Sequence, residues 1–203
     1  MTKTFSIASI ALLAALFLAA CGREEVNAER EIRDVIDLVD GSRDPTTCTT
    51  LLTQRFNEQL TAIQGPEAVK TCESQVRTPE GDTSSLTVSG VEVEGSTASA
   101  HISVTGGSLD GQILAITLVQ HDSQWQLDEI DGFASLNRPK LIETFLRELN
   151  SQYRVSESLK ICIRNTLEHA SHSALTALFF SGSIETIHQF HTQCTERDSP
   201  SFG

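Results

Sequence analysis

The chain has 203 residues, with 27 acidic against 15 basic side chains and a formal charge of −12 at pH 7. An acidic balance of that size excludes nucleic acid as a partner and electrostatic attachment to anionic lipid. No internal repeat, metal-binding loop or nucleotide-binding glycine motif interrupts the sequence.

The first element is an export segment. Met1 to Ser6 carries one cation, Lys3, and Ile7 to Ala20 is uncharged with only Ser9 polar. A bilayer-spanning helix wants about 20 apolar residues, so this run is too short to span comfortably. It has the charged start, apolar middle and small-residue exit of a signal peptide. Its ending, Leu18-Ala19-Ala20-Cys21, resembles the lipobox of bacterial lipoproteins. That resemblance implies a diacylglyceryl group on the Cys21 thiol and cleavage that leaves Cys21 as the mature N-terminus. Lipid through Cys21 is then the first partner, and the protein is extracytoplasmic, anchored to a cell membrane. Two acyl chains suffice for a stable anchor where one is marginal. The alternative is an ordinary secreted signal that happens to carry a cysteine. Gly22 is not the aspartate that signals inner-membrane retention, and which membrane holds the anchor stays open. Residues 21–28 are expected to form a tether, at most roughly 28 Å long.

Three helices are predicted next. From Glu24 to about Leu38 the apolar positions Val26, Ile32, Val35, Ile36 and Val39 recur with helical spacing. "SRDPTTC" restarts a helix, with Asp44 as N-cap and Pro45 in the first helical position. "QGPEAVKTC" does the same at Gly65, Pro66 and Glu67, and that helix is expected to reach about Val76.

The period then changes to two. Val91 and Val93 precede a turn at Glu94-Gly95-Ser96, and Ala98, Ala100, Ile102 and Val104 follow it in alternation. "QILAITLVQHDSQWQLDEIDGF" makes a second strand pair turning at Asp122-Ser123. Ile113 to Val119 is apolar on both faces apart from Thr117, which suits a central strand. The order predicts an α+β fold with three helices packed on a curved antiparallel sheet.

Residues 28–133, and above all the closing "LVQHDSQWQLDEIDGF" with Trp125 and Leu127, resemble the nuclear-transport-factor-2-like superfamily. The corresponding domain is placed at 29–136. The resemblance implies a cone whose concave sheet face and helices surround a pocket, used for ligands or, in some members, for catalysis by acids inside it. The inward candidates are Ala98, Ala100, Ile102 and Val104, an apolar wall with no proton-transfer group. Asp128 and Asp131 fall at the sheet's end and His101 on the opposite face. Asp34, Asp37 or Glu73 would have to turn inward to supply a carboxylate. The favoured function is a non-catalytic binding or interaction module for a small ligand or an envelope protein, with no cofactor implied. The alternative is an isomerase- or dehydratase-like enzyme, which a buried acid or histidine in an open cavity would favour.

A helical module is expected at 137–196, starting at Asn137-Arg138-Pro139, with a polar tail at 197–203. Leu141, Ile142, Phe145, Leu146 and Leu149 form one stripe. Ser156 caps a second helix, and Ser183 precedes a third carrying Ile184, Ile187, Phe190 and Cys194. With Cys21 assigned to lipid, Cys48, Cys72, Cys162 and Cys194 make an even set in an oxidising compartment. Of three possible pairings the local one, Cys48–Cys72 and Cys162–Cys194, follows from the placement of two cysteines in each half. The second bridge would staple the small bundle. His169 and His172 are three apart, as are His188 and His191, so each pair would share a helical face. Four such imidazoles suit zinc or copper, and metal capture is the distant alternative to ordinary surface histidines.

Overall fold

The computed structural model describes residues 26–77, 85–152, 155–180 and 194. The export segment, Cys21, His188, His191 and the tail lie outside the described residues. Helix α1 occupies residues 26–41, so residues 26–28 of the expected tether are already helical. Ile32, Val35 and Ile36 are its buried stripe, while Val26 and Leu38 are exposed.

The single helix expected from Pro45 is two short ones, α2 (Thr47–Thr50) and α3 (Gln54–Thr61). Together with α4 (Pro66–Arg77), four described helices therefore precede the sheet instead of three. The break has a tertiary cause. The Leu127 N–H donates to the Leu51 carbonyl at 2.8 Å, and the Thr53 N–H donates to the Leu127 carbonyl at 2.9 Å. Past Leu51, which ends α2, those bonds hold Thr53 extended (ψ 167°), and the Thr53 hydroxyl then caps α3 by accepting from the Phe56 N–H. Asp44 makes a tight turn instead of capping a long helix, its carboxylate accepting from the Thr46 N–H at 2.9 Å.

Four strands follow: β1 (Ser85–Glu94), β2 (Thr97–Thr105), β3 (Ile113–His121) and β4 (Gln124–Ser135). They form one antiparallel sheet in sequence order. The β3–β4 hairpin turns at Asp122 and Ser123, both at positive φ (49° and 64°), as a two-residue turn matched to strand twist requires. The register of β3 against β4 shifts three times, leaving Asp128, Asp131 and Ala134 as extra residues on β4. Each bulge bends the strand and re-aims its side chains. Strict alternation from Trp125 and Leu127 would send Glu129 and Asp131 into the core. The bulges instead turn Ile130 and Phe133 inward, both of which are buried.

Beyond the sheet lie α5 (Arg138–Gln152), α6 (Glu157–His169) and α7 (His172–Phe180). Ser156 caps α6 as expected, its hydroxyl accepting from the Leu159 N–H at 3.2 Å. The start of α5 is pinned to the β2–β3 connection by the buried Gln112, which exchanges hydrogen bonds with the Asn137 backbone at 2.8 and 3.1 Å. Helix α7 lies against β4 at Gly132, where a Cβ would stand 2.7 Å from the Thr176 methyl. Only glycine permits that approach, and its φ of 139° is itself unfavourable to other residues.

The chain is α+β, and its apolar residues form one continuous core. Ile32 and Ile36 of α1, Leu118 and Trp125 of the sheet, and Leu141, Leu167 and Leu175 beyond it all belong to a single cluster. Two disulfides, Cys48–Cys72 and Cys162–Cys194, join the cysteines in the local pairing expected from their placement.

Candidate functional site

The apolar wall read from the sequence is present, but it is packed. Ala98, Ala100, Ile102 and Val104 are 4%, 1%, 5% and 6% exposed, inside the cluster that includes Ile32, Ile36 and Leu118. The acids that would have to turn inward do not. Asp34 and Asp37 are exposed, and Glu73 is half-buried with Arg77 at 3.9 Å. Among the described residues the buried polar side chains are Thr47, Asn57, Gln112 and Thr144, with no carboxylate or imidazole. His101 is exposed on the outer face.

The first histidine pair does not share a helical face. His169 ends α6, the backbone turns extended at Ala170, and His172 opens α7. The imidazole of His169 bonds the Asn165 carbonyl at 2.7 Å, and that of His172 bonds the Phe133 carbonyl at 2.9 Å. The His169 ring thus serves its own helix, while the His172 ring ties α7 to β4, 39 residues earlier in the chain. Among the described residues no three His, Cys, Asp or Glu side chains gather as a metal site.

The structure brings a different set of residues together. A cleft of about 350 Å³ opens between α3, β4 and α7. Helix α3 contributes Arg55, Glu58 and Gln59, β4 contributes Glu129, Ile130 and Asp131, and α7 contributes Thr176, Ala177 and Phe180. Two of the bulges in β4 fall at Asp128 and Asp131, on either side of Glu129 and Ile130, and Glu129 and Asp131 both reach the cleft. The sequence signal was present in "LDEIDGF", where apolar alternation fails, but the bulges themselves are set by pairing with β3.

Arg55 ties the two sides. Its guanidinium lies 3.6 Å from Asp128 and pairs more closely with Glu129. Burial pushes the Glu129 carboxyl above its ordinary value; Arg55 opposes that, while Asp131 and Asp128 reinforce it. Glu58 is held below the usual range by the Gln54 amide and the Gly65 N–H. Asp131 accepts from the Thr117 hydroxyl at 2.9 Å. Phe180 of the lining packs on Phe133 with ring centroids 4.9 Å apart.

The lining offers three carboxylates, a guanidinium, side-chain amides and the Thr176 hydroxyl beside apolar side chains. Comparisons with protein-family models, with curated proteins and with solved structures give no match to this chain. Among the described residues no helix is long and apolar enough to cross a membrane.

Proposed function

We propose that this protein is a lipoprotein of the cell envelope, anchored through Cys21, whose folded part binds a ligand or partner without transforming it. In this reading the N-terminal helices and sheet are a nuclear-transport-factor-2-like cone, and the segment from Arg138 is a disulfide-stapled helical bundle beside it. The observation that carries binding over catalysis is the concave strand face. Ala98, Ala100, Ile102 and Val104 are filled against the protein's own core. Acid–base catalysis needs a side chain within hydrogen-bond reach of the reacting proton and a matched pKa, and that wall supplies none. The anchor is supported by Leu18-Ala19-Ala20-Cys21 after an uncharged run.

The test of the anchor is fatty-acid labelling and membrane fractionation of the full chain in a bacterial host. Wild type is expected to carry label and sediment with membranes, and Cys21→Ser to lose both. A Cys21→Ser chain with normal mature mass and membrane retention would overturn the reading.

A further inference from the structure

We propose that the cleft between α3, β4 and α7 is a binding site for an organic cation on an apolar stem, an alkylamine or alkylguanidinium. The inference rests on the reading of the protein as a binding module and adds the class of ligand. At about 350 Å³ the cleft falls within the ~300–1,000 Å³ typical of small-molecule sites. Ile130, Ala177 and Phe180 supply apolar lining for a short aliphatic stem. The lining also carries the carboxylates of Glu58, Glu129 and Asp131, against Arg55 as its cation. Arg55 is already engaged by Asp128 and Glu129, so the lining keeps a surplus of negative charge.

Among the described residues no three His, Cys, Asp or Glu side chains gather as a metal site, so the three carboxylates of the cleft do not share one centre. A divalent metal needs several oxygens around one centre, whereas an elongated cation uses carboxylates spaced apart. Glu129 is half-buried, and Asp131 and Asp128 stand near it beside the single cation Arg55, so acids outnumber cations around it.

The ligand has two possible sources, a free amine or a lysine or arginine side chain of a partner protein. Calorimetric titration of the purified full chain at low salt, with cadaverine, agmatine, a lysine-centred peptide and neutral pentanol, separates them. The cations are expected to bind and pentanol not. Tighter binding of the peptide assigns the site to a partner protein, and tighter binding of the free amines to a small molecule. Glu129→Gln and Asp131→Asn should each weaken cation binding roughly tenfold through loss of a charge-assisted contact. Ala177→Lys, at an exposed position, should abolish binding with the melting temperature unchanged. Absence of binding by every cation, equal binding of pentanol, or binding unaffected by Ala177→Lys would overturn the proposal and leave the Cys21 result standing. Conversion of a bound amine to product would overturn the non-catalytic reading and leave the site in place.

Discussion

The Gln59 side chain and the Ile130 backbone bond each other twice. The Ile130 N–H donates to Gln59 Oε1 at 2.7 Å, and Gln59 Nε2 donates to the Ile130 carbonyl at 3.2 Å. A side chain on α3 thus does what a neighbouring strand would do for the edge of β4, next to the parallel bridge between Leu52 and Leu127. Exposed strand edges invite pairing with other chains, and this one is closed from within. Gln59→Ala leaves a donor and an acceptor of a half-covered strand unpaired, and is expected to cost about 1–3 kcal/mol in urea denaturation. Gln59→Glu keeps the acceptor, loses the donor and adds a charge beside Glu129, so it should be no better than alanine at neutral pH. Wild-type stability for both variants would mean that the edge is held by other contacts.

Glu129 sets a pH dependence of opposite sign to that of Asp44, Glu58, Asp110 and Glu157. Its folded pKa is raised, first by burial, so the folded state holds that proton more tightly than the unfolded chain does. The contribution to stability is therefore full below the ordinary glutamate value near 4.5 and is lost as pH rises through the folded value. Asp44, Glu58, Asp110 and Glu157 are lowered by hydrogen bonds and work the other way, losing stability as pH falls through their folded values. Thermal melts of wild type and Glu129→Gln, from neutral pH down to about 4, should show the wild type gaining on the variant as the solution is acidified. A constant difference across that window would show that Glu129 is not desolvated.

Arg138 holds the far side of the fold. Its guanidinium Nη1 lies 2.6 Å from the Leu167 carbonyl and 2.8 Å from that of Ala170, at the C-terminus of α6. Those carbonyls have no partner within the helix, and the cation also opposes the negative end of the helix dipole. Arg138→Ala should cost about 1.5–3 kcal/mol and speed hydrogen exchange in the last turn of α6. Arg138→Lys keeps the charge and should recover part of that loss. Unchanged exchange in α6 for the alanine variant would count against the cap.

The disulfides are predicted to differ in what their loss releases. Cys48–Cys72 ties α2 to α4, and both cysteines are buried. Replacing the pair by alanine should cost roughly 2–4 kcal/mol by loop entropy, read as a lower urea midpoint. The Cys162–Cys194 pair joins α6 to a residue 32 positions along the chain. Its removal should leave β-sheet exchange protection intact and lower protection in α6 and α7. Non-reducing peptide mapping should recover both links, and a Cys72–Cys162 peptide would contradict the structure.

What the sequence determined by itself is whatever local chemistry decides. Alternation placed Ala98, Ala100, Ile102 and Val104 on one inward face, and the hydroxyl at Ser156 capped the helix it precedes, because neighbours along the chain settle both. The cysteine pairing was legible for a related reason, since each partner lies within its own half of the chain. Tertiary structure alone decided the cleft. Its making depends on Gln59 and Ile130, 71 residues apart, and on bulges that appear only when β4 is laid against β3. The same holds for the break before Thr53, where hydrogen bonds to Leu127 outcompeted a helix that Pro45 could otherwise have started. The extended turn at Ala170 likewise parted His169 from His172. Spacing along a helix predicts a shared face only while the helix continues, and long-range contacts settle where it stops.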